Sequence, residues 1–488
     1  MNWGQIIRMF AALLRAWKRS RAGLILAQRR EARATAKMVA AVANSQAAGT
    51  ADLPVLPFDE LDQLSRIDQP WLLLLHKGAT LLPGAKERLA ELTMQVEADL
   101  IYADSIVLDE KTGFERLHLK PAWDPVRLAE QPYIGGLMAI RRDVLSAFLE
   151  TLQKPQVTSH ADFLAKLAQW LPAHRAAHLP HPLVKESLAA PIPLAANLDA
   201  EPRIRIIIPN RNSPELMAQV LEGLYKKTDY LNFEVWVVDN GSTDQKTLNL
   251  YDNYAGREGF RALIETRPFN FSDMINTGLA KFDADAALLL NNDVEVIHAD
   301  WLQEMAWVMG NWKAGIVGAR LLFPDDTVQH AGVIVGHRAK AGHAFYRQPR
   351  QWMDPFQRLA CRQSVSCVTG AAMLISKRCI ETVGAWDENN FAVAYNDVDY
   401  CIRARRRGFG VAWTPNATLY HHESVSRGRD ISPERRRQFE QEKQALMTLH
   451  GTAEFQDPWW HPHLSRTASL PSPQFNGIIA DARFWTAG

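Results

Sequence analysis

Between residues 203 and 290 the chain alternates short apolar segments with amphipathic ones, and this alternation strongly limits the folds that it can adopt. The pattern predicts strands at 203–208, 233–238, 260–265 and 286–290, with helices at 214–226, from 245, and at 271–281. Such alternation predicts an α/β fold with a mostly parallel sheet and helices on both faces. Because ligands bind beyond the carboxyl ends of the strands in such sheets, we expect the site where polar motifs follow these strands.

The remaining sequence divides into regions of different composition. A chain of 488 residues is long enough for two or three folded units. Residues 186–202 are rich in Ala and Pro and are typical of an interdomain connection. We therefore expect a basic helix and linker at 1–50, a first unit at 51–190, the α/β domain at 203–430, and a C-terminal helix and tail at 431–488.

Charge and cysteine content narrow the possible partners. The formal net charge is +1, which gives no reason to expect nucleic acid as a partner. The four cysteines lack CxxC spacing and zinc-finger histidines, so we interpret them as reduced core thiols of a cytoplasmic protein. They are Cys361, Cys367, Cys379 and Cys401.

The first residues have the pattern of an amphipathic helix. Apolar side chains from Trp3 to Trp17 recur at intervals of three and four, with basic residues between and after them. Two tryptophans with flanking basic residues suit a helix lying on an anionic membrane surface, so residues 1–22 predict peripheral association with the inner face of the cytoplasmic membrane. The alternative is a helix packed on its own protein. We expect no membrane-spanning helix, because no run of 18 apolar residues occurs.

Acidic residues follow two of the predicted strands. Asp239 lies at the tip of the second strand and is suited to hold a base or ribose, whereas Asp244 fits either a ligand contact or a helix N-cap. Asp293 follows a wholly apolar strand, where a buried carboxylate needs a partner such as Mg²⁺ or Mn²⁺. Glu295 lies two residues after Asp293, so in a strand it would point to the same side, and it is a weaker candidate ligand.

Two later motifs add further candidates. Asp397 and Asp399 open a predicted helix, and capping accounts for one carboxylate better than for two. A carboxylate at a pocket edge could act as a general base. His421 and His422 follow another apolar strand, where either could contact a metal or a diphosphate.

In this order, the motifs PNRN, VVDNGSTD, NFSDMINTG, LLLNNDVEV, VTGAAMLI, NDVDYCIRARRRGF and YHHES resemble those of bacterial family 2 glycosyltransferases. These enzymes have the GT-A fold, which is Rossmann-like. The resemblance extends over residues 203–465, includes the tail motif DPWWHPHLS, and is greatest to rhamnosyltransferase-like enzymes of O-antigen and capsule assembly. It implies a nucleotide-sugar donor, a saccharide or lipid-linked acceptor, and a divalent metal.

The resemblance also implies a role for individual residues. Asp293 would bind the metal with His421 or His422, and Asp397 would be the catalytic base. Thr369 and Gly370 would lie beside the acceptor. The candidates for donor binding are Pro209, Asn210, Arg211, Asp239, Asn240, Asp244, Asn276, Asn292, Thr369 and Gly370. The sequence departs from the family pattern at Asn291-Asn292-Asp293, where only the last residue is a firm ligand, and at Asn396, where a glutamate usually precedes the base.

The first unit resembles the second half of a GT-A domain, through motifs such as PWLLLLHKGATLLPGA and LKPAWDPVRLAEQPYIGGLMAIRRDVL. Where a metal motif would be acidic, it has His76-Lys77-Gly78. Since a lysine disfavours metal binding, we predict a degenerate, non-catalytic lobe. We therefore expect an inverting glycosyltransferase of cell-surface polysaccharide synthesis. A nucleotidyltransferase is a rival, although PNRNSPEL lacks its glycine-rich basic loop, and a non-catalytic glycan-binding scaffold is another.

Overall fold

A computed structural model describes residues 53–109, 113–152, 159–188, 190–352, 356–422 and 432–473. The predicted N-terminal helix and the linker up to residue 50 lie outside these ranges. The chain forms two compact units, of which the second comprises 124–131 and 190–472 and the first holds the other described residues. Within the described ranges, the helices are all too short or too polar to cross a membrane.

The described residues up to 188 form short strands and helices. The strands are β1 (Val55–Pro57), β2 (Trp71–Leu75), β3 (Thr80–Leu81), β4 (Leu100–Asp109), β5 (Phe114–His118), β6 (Leu137–Arg141) and β7 (Ala176–Glu186). The helices are α1 (Ala85–Thr93), α2 (Pro125–Leu128), α3 (Arg142–Thr151) and α4 (His160–Trp170), with 3₁₀ turns at Phe58–Arg66 and Ala173–Arg175. Helix α2 belongs to the second unit. The first unit's sheet has the order β1-β2-β6-β4-β7-β3, with β5 beside β4.

The second unit contains the remaining strands and helices. Its strands are β8 (Ile204–Asn210), β9 (Phe233–Asp239), β10 (Phe260–Ile264), β11 (Ala286–Leu290), β12 (Val294–Val296), β13 (Ile316–Leu322), β14 (Val328–His330), β15 (Val333–Val335), β16 (Ala341–His343), β17 (Gln363–Ser364), β18 (Ala372–Ser376) and β19 (Val411–His421). Its helices are α5 (Pro214–Lys227), α6 (Gln245–Tyr254), α7 (Phe271–Gly278), α8 (Trp301–Asn311), α9 (Lys377–Val383), α10 (Asn396–Arg406) and α11 (Pro433–His450). Two 3₁₀ turns are at His337–Ala339 and Arg358–Ala360.

The large sheet of the second unit has the order β10-β9-β8-β11-β18-β13-β19-β12. Strands β10, β9, β8 and β11 are parallel, which confirms the predicted α/β arrangement for this part of the chain. Beyond β11 the sheet is mixed, because β18 is antiparallel to both of its neighbours and β12 is antiparallel to β19. The parallel prediction came from the first four strands and extends no further.

The first unit's sheet repeats the strand order and directions of six of these eight strands, from β8 to β12. In order, β1, β2, β6, β4, β7 and β3 match β8, β11, β18, β13, β19 and β12. Each neighbouring pair has the same direction in both sheets: the first and fourth pairs are parallel and the others antiparallel. The two units therefore share one topological core.

The apolar faces that the sequence pattern predicts form the core of the second unit. Ile204, Ile206 and Ile208 of β8 are fully buried and belong to the same cluster as residues of α5 and α8. Helix α7 lies so close to β8 that a Cβ atom on Gly278 would be 2.5 Å from Ile207. All four cysteines are buried, which agrees with their interpretation as core residues.

Candidate active site

The tips of β8 and β9 lie side by side, with Asn210 paired to Asp239 in the parallel register. The Asp239 carboxylate accepts hydrogen bonds from the backbone N–H and hydroxyl of Ser242, both at 2.6 Å, and from the Tyr251 hydroxyl at 2.6 Å. Burial and the Asp239 hydrogen bond raise the pKa of Tyr251, so the phenol stays a donor. Asp239 is 1% exposed. It holds the turn together, and its contact with a nucleotide stays a prediction.

The residues in the turn after β9 bond mainly to other parts of the protein. Gly241 has a φ of +71°, and a Cβ there would lie 2.7 Å from the Thr266 hydroxyl, so this position requires glycine. Asp244 is the N-cap of α6, where it accepts bonds from the Thr247 backbone N–H and hydroxyl. The capping alternative thus describes Asp244. The Asn240 amide donates to the Arg267 carbonyl oxygen.

The turn after β11 brings its side chains toward the tip of β8. Asn292 donates to the Asn210 side-chain oxygen at 2.6 Å. Asp293 follows, and one of its carboxylate oxygens lies 3.0 Å from Nε2 of His421. This approach arises because β12 pairs with the end of β19, placing Val294 opposite His421. Two candidates that are far apart in the sequence are thus in contact.

The hydrogen bonds of His421 indicate which of its nitrogens carries the proton. The Gln329 amide donates to the His421 carbonyl oxygen, and its oxygen lies 2.6 Å from Nδ1 of the ring. In a neutral ring Nδ1 therefore carries the proton, and the lone pair of Nε2 faces the Asp293 carboxylate. The side-chain amide of Asn291 also lies 3.2 Å from Nε2, so this nitrogen can accept from Asn291 or bind a cation beside the Asp293 carboxylate.

The separation of these two atoms fits a divalent cation. Ligands in adjacent octahedral positions, each about 2.1 Å from a metal, lie about 3.0 Å apart. The observed separation of 3.0 Å equals this value. An imidazole with its second nitrogen oriented by a hydrogen bond is also the usual arrangement of a histidine ligand. Asp293 and His421 are therefore suited to hold a divalent metal.

The other predicted pair of metal ligands lies apart from the first. His422 Nε2 is 2.9 Å from the Glu295 carboxylate, and both side chains are partly exposed. Neighbouring residues of a strand point to opposite faces, so His421 and His422 have different partners. Their separation would suit a cation as well as that of the first pair, but neither side chain is among the described residues that line the cavity in front of Asp293, so their metal role stays a prediction.

Asp397 lies in the first turn of α10. One oxygen of its carboxylate accepts the Gly370 N–H at 3.0 Å, and the other accepts the N–H of Val398 at 2.8 Å. Gly370 in turn lies between Asp397 and the ring of Phe271. The second carboxylate of the motif differs, because Asp399 is buried and bonded to Arg403 and His450. Asp399 thus has a structural role and Asp397 is the candidate base.

A cavity of about 980 Å³ opens in front of these motifs. Of the sequence-predicted residues, Pro209, Asn210, Arg211, Asn292, Asp293 and His421 line it. Among the described residues, the other candidates do not contribute to this lining. Asn276 instead exchanges two hydrogen bonds with the backbone of Trp386. Phe271, which touches the position of Gly370, is also part of the wall and connects it to the region of Asp397.

Sequence reasoning predicted a C-terminal helix within 431–488 but missed that this helix lines the cavity. Arg435, Arg436 and Phe439 of α11 line the cavity. The helix is fixed there by Glu442, whose carboxylate accepts the backbone N–H groups of Val393 and Ala394. The Ser-Pro-Glu sequence at 432–434 could have indicated where the helix begins. Its largely polar surface could not have indicated which side packs against the domain.

Comparison with known proteins gives a family for this region. A family model described as "Glycosyltransferase like family 2" matches residues 202–443. An uncharacterized protein of Sinorhizobium fredii is 38% identical over 269 residues, which are 55% of this chain and 30% of that protein. The O-antigen biosynthesis protein RfbC of Myxococcus xanthus is 29% identical over 435 residues, covering 80% of this chain and 33% of that protein. The chain thus spans about a third of the length of these two relatives.

A third relative and a solved structure match this chain over a larger share of their own lengths. The N-acetylglucosaminyl-diphospho-decaprenol L-rhamnosyltransferase of Mycobacterium tuberculosis is 24% identical, over 40% of this chain and 68% of its own length. The mannosyltransferase PcManGT of Pyrobaculum calidifontis, solved with GDP-Man and Mn²⁺, has 16% identity and a TM-score of 0.38, over 54% of this chain and 68% of that one.

Proposed function

The chain carries a family 2 glycosyltransferase domain at residues 202–443, and we propose that it is a metal-dependent, inverting glycosyltransferase of cell-surface polysaccharide synthesis. The observation that carries the proposal is the contact of Asp293 with His421 in the wall of a 980 Å³ cavity. Cavities of roughly 300–1,000 Å³ accommodate cofactor-sized ligands. The donor would be a nucleotide-diphosphate sugar, as the resemblance of the motifs to family 2 glycosyltransferases implies.

Cell-surface polysaccharide synthesis follows from the names of two relatives. One is an O-antigen biosynthesis protein, and the other acts on N-acetylglucosaminyl-diphospho-decaprenol. We therefore propose a saccharide acceptor, with a lipid-linked saccharide as the more specific form. Peripheral attachment to the inner face of the cytoplasmic membrane, through the basic residues 1–22, would bring the domain to such an acceptor. Deleting residues 1–22 should then abolish binding to anionic liposomes.

Asp293 and His421 would hold the metal, which would neutralise charge on the departing diphosphate. Of the two candidate ions, we favour Mn²⁺ over Mg²⁺, since one ligand is an imidazole and Mg²⁺ prefers oxygen ligands. Helix α11 contributes charges of both signs to the lining, with Arg435 and Arg436 one turn before Glu440 and Glu442. Asn210 and Asn292, bonded to each other, would contact the donor beside the metal.

Asp397 would act as the base. Its carboxylate would take the proton of the acceptor hydroxyl while that oxygen attacks the anomeric carbon and the bond to the diphosphate breaks. The backbone N–H groups of Gly370 and Val398 hold the carboxylate in one orientation, as general-base catalysis requires. Since Gly370 touches both Asp397 and Phe271 of the cavity wall, the base lies next to the proposed donor site.

The Asp397→Asn variant tests this assignment. General-base assistance typically contributes about 10²–10⁴ in rate, so sugar transfer should fall by about that factor while donor binding stays unchanged. The matched control is Asp387→Asn, in which the changed carboxylate accepts from the backbone N–H groups of Asn389 and Asn390 and from the side-chain amide of Asn390. An Asp397→Asn variant with most of its transfer activity would show that another group is the base. Release of pyrophosphate instead of nucleoside diphosphate would favour a nucleotidyltransferase.

We also propose that the first unit is a non-catalytic lobe related to the second. In the shared topology, Thr80 pairs with Lys185 as Glu295 pairs with Tyr420. Gly78 and Glu186 therefore stand where the second unit has Asp293 and His421. Glu186 is bonded to the buried ammonium of Lys120 at 3.1 Å. This built-in cation would replace a metal, and the loss of all transfer in Asp397→Asn would agree with a silent first unit.

A further inference from the structure

A second cavity, of about 410 Å³, lies in the second unit next to the proposed donor site. It shares His421 with the donor cavity. Thr369 also lines it and directly precedes Gly370, whose N–H is bonded to Asp397. The cavity thus contains the proposed metal ligand His421, and it reaches the proposed base only through the Thr369–Gly370 segment, since Asp397 is not among the described residues that line either cavity.

The tail of the domain builds this cavity by fixing the β15–β16 hairpin. Asp457 accepts the Val335 N–H at 2.8 Å, and the Arg466 and Ser469 carbonyl oxygens accept the N–H groups of Arg338 and Phe345. Ser469 itself contributes to the lining. The DPWWHPHLS motif, which the donor site does not use, therefore begins the segment that shapes a second cavity.

The turn of this hairpin is held in an unfavourable backbone conformation. Arg338 and Ala339 have φ values of +50° and +65°, a left-handed region that non-glycine residues rarely adopt. The Thr452 hydroxyl bonds the Ala339 carbonyl oxygen, and Arg338 Nε bonds the carbonyl oxygen of Thr467. Such conformations persist where surrounding contacts impose them, and they cluster at functional sites. As a result, Arg338 is held at the cavity.

The rest of the lining consists of side chains that can form hydrogen bonds with hydroxyl groups. The Thr369 N–H points to Nε2 of His330, and Nδ1 of that ring is 3.0 Å from Nδ1 of His343. Burial and the neighbouring imidazole hold the pKa of His330 well below its usual range, so His330 stays neutral and donates to His343. Tyr346 stacks on His343 and is 37% exposed, so it offers a ring face to the apolar side of a sugar.

The charges of the residues that line the second cavity indicate which class of ligand it would bind. Among the described residues that line the cavity, Arg338 carries the positive charge and none is a carboxylate. An arginine that faces a cavity of neutral hydrogen-bonding groups fits a ligand with many hydroxyls and one anionic group. A phosphate next to a sugar has this chemistry.

We propose that this second cavity is the acceptor site and that it binds a saccharide carrying a phosphate group at Arg338. The inference rests on the proposed function, because it places the acceptor hydroxyl between Asp397 and a donor held at Asp293. It also assigns a task to the tail, which would set the shape of the acceptor site.

Calorimetric titration of the full chain in the presence of Mn²⁺ tests the proposal. The probes are glucose, galactose, mannose and N-acetylglucosamine, each as its 1-phosphate and as its methyl glycoside. At least one 1-phosphate should bind about tenfold or more tightly than its methyl glycoside, as expected for one charge-assisted pair. Arg338→Gln should abolish this ratio and Arg338→Lys should keep part of it. The control Arg347→Gln, in which the changed residue pairs with Asp325 outside the lining, should keep all of it.

Several results would overturn the proposal: no probe binds the unmodified chain, Arg338→Gln leaves the ratio intact, or an added nucleoside diphosphate displaces the sugar phosphate. A Mn²⁺-dependent thermal shift with nucleotide sugars distinguishes failure of the acceptor-site proposal from failure of the proposed function. Arg338→Gln should retain this thermal shift, because Arg338 is not proposed to bind the donor. Its loss from the unmodified chain would refute the proposed function instead. A farnesyl-diphosphate-linked sugar that binds more tightly than the same sugar 1-phosphate would identify a lipid-linked acceptor, and equal binding would identify a free phosphate.

Discussion

Replacing Gln329 by methionine should weaken metal binding, although Gln329 is not a proposed ligand. Its side chain is 4% exposed, and its amide makes two contacts with His421: one to Nδ1 at 2.6 Å and one to the carbonyl oxygen at 3.4 Å. Methionine has a similar shape but cannot accept a hydrogen bond from the ring. The imidazole would then be free to place its proton on Nε2, the atom facing Asp293.

The expected loss of metal affinity can be estimated because Gln329 orients a proposed metal ligand through a hydrogen bond. Loss of the hydrogen bond that orients a ligating histidine typically costs about 10–100-fold in metal affinity, which is about 1.4–2.7 kcal/mol. Since Gln329 is buried and its contact with Nδ1 is short, we expect a loss within this range for Mn²⁺. The affinity should be lower still in His421→Ala, which removes the ligand itself.

Free Mn²⁺ can be measured by electron paramagnetic resonance during a titration with saturating nucleoside diphosphate. Gln363→Met is the matched control, because Gln363 is also largely buried and donates to the Arg358 carbonyl oxygen instead. An affinity for Mn²⁺ in Gln329→Met within about twofold of that of the control would refute the tautomer assignment. The metal would then not depend on the nitrogen that we assign.

Two further predictions concern stability and the wall of the cavity. Burial and a neighbouring imidazole lower the pKa of His160 to about 3, so the folded state resists protonation and stability is lost as the pH falls below about 6.5. Between pH 7 and 5 the loss should be about 2 kcal/mol smaller in His160→Gln, by denaturant melts; an unchanged pH dependence would contradict this. Glu442→Ala removes the acceptor of two loop N–H groups and should cost about 1–3 kcal/mol and raise the donor KM. In the exposed control Glu381→Ala neither quantity should change, and equal behaviour of the two variants would refute the role of Glu442.

The strands and helices of the parallel region were predictable because local signals agree there. The strand at 286–290 was predicted with the bounds that it has, since five apolar residues lie between Asp285 and Asn291. Helix α5 begins at Pro214 as expected and extends one residue beyond the predicted end. Helix α7 ends at Gly278, earlier than predicted, because the close packing on Ile207 depends on this glycine and the following residues turn away.

The site was predictable only in part, because its decisive contacts join distant parts of the chain. The sequence pattern identified Asp293 and both histidines, but it could not choose between His421 and His422. That choice depends on strand alternation and on Gln329, which lies far earlier in the sequence. Pairing of this kind has no local signature.

Buried charged residues elsewhere in the second unit were also not predictable from the sequence. Arg362 is 1% exposed and bonds both oxygens of Glu304 at 2.6 Å, and it also pairs with Glu130. Through this pair the segment 124–131 is bonded into the second unit, although it precedes the predicted linker. An arginine is usually exposed, so the sequence alone gives no reason to place this one in a core.

The central claim is that the second unit binds a nucleotide sugar through a metal held by Asp293. The most direct test is a thermal-shift screen of nucleotide-diphosphate sugars against the full chain, with and without Mn²⁺. We expect that at least one donor raises the melting temperature only when Mn²⁺ is present, and that this rise disappears in Asp293→Asn. A stabilising donor that does not need Mn²⁺, a rise that persists in Asp293→Asn, or no stabilising donor would contradict the claim.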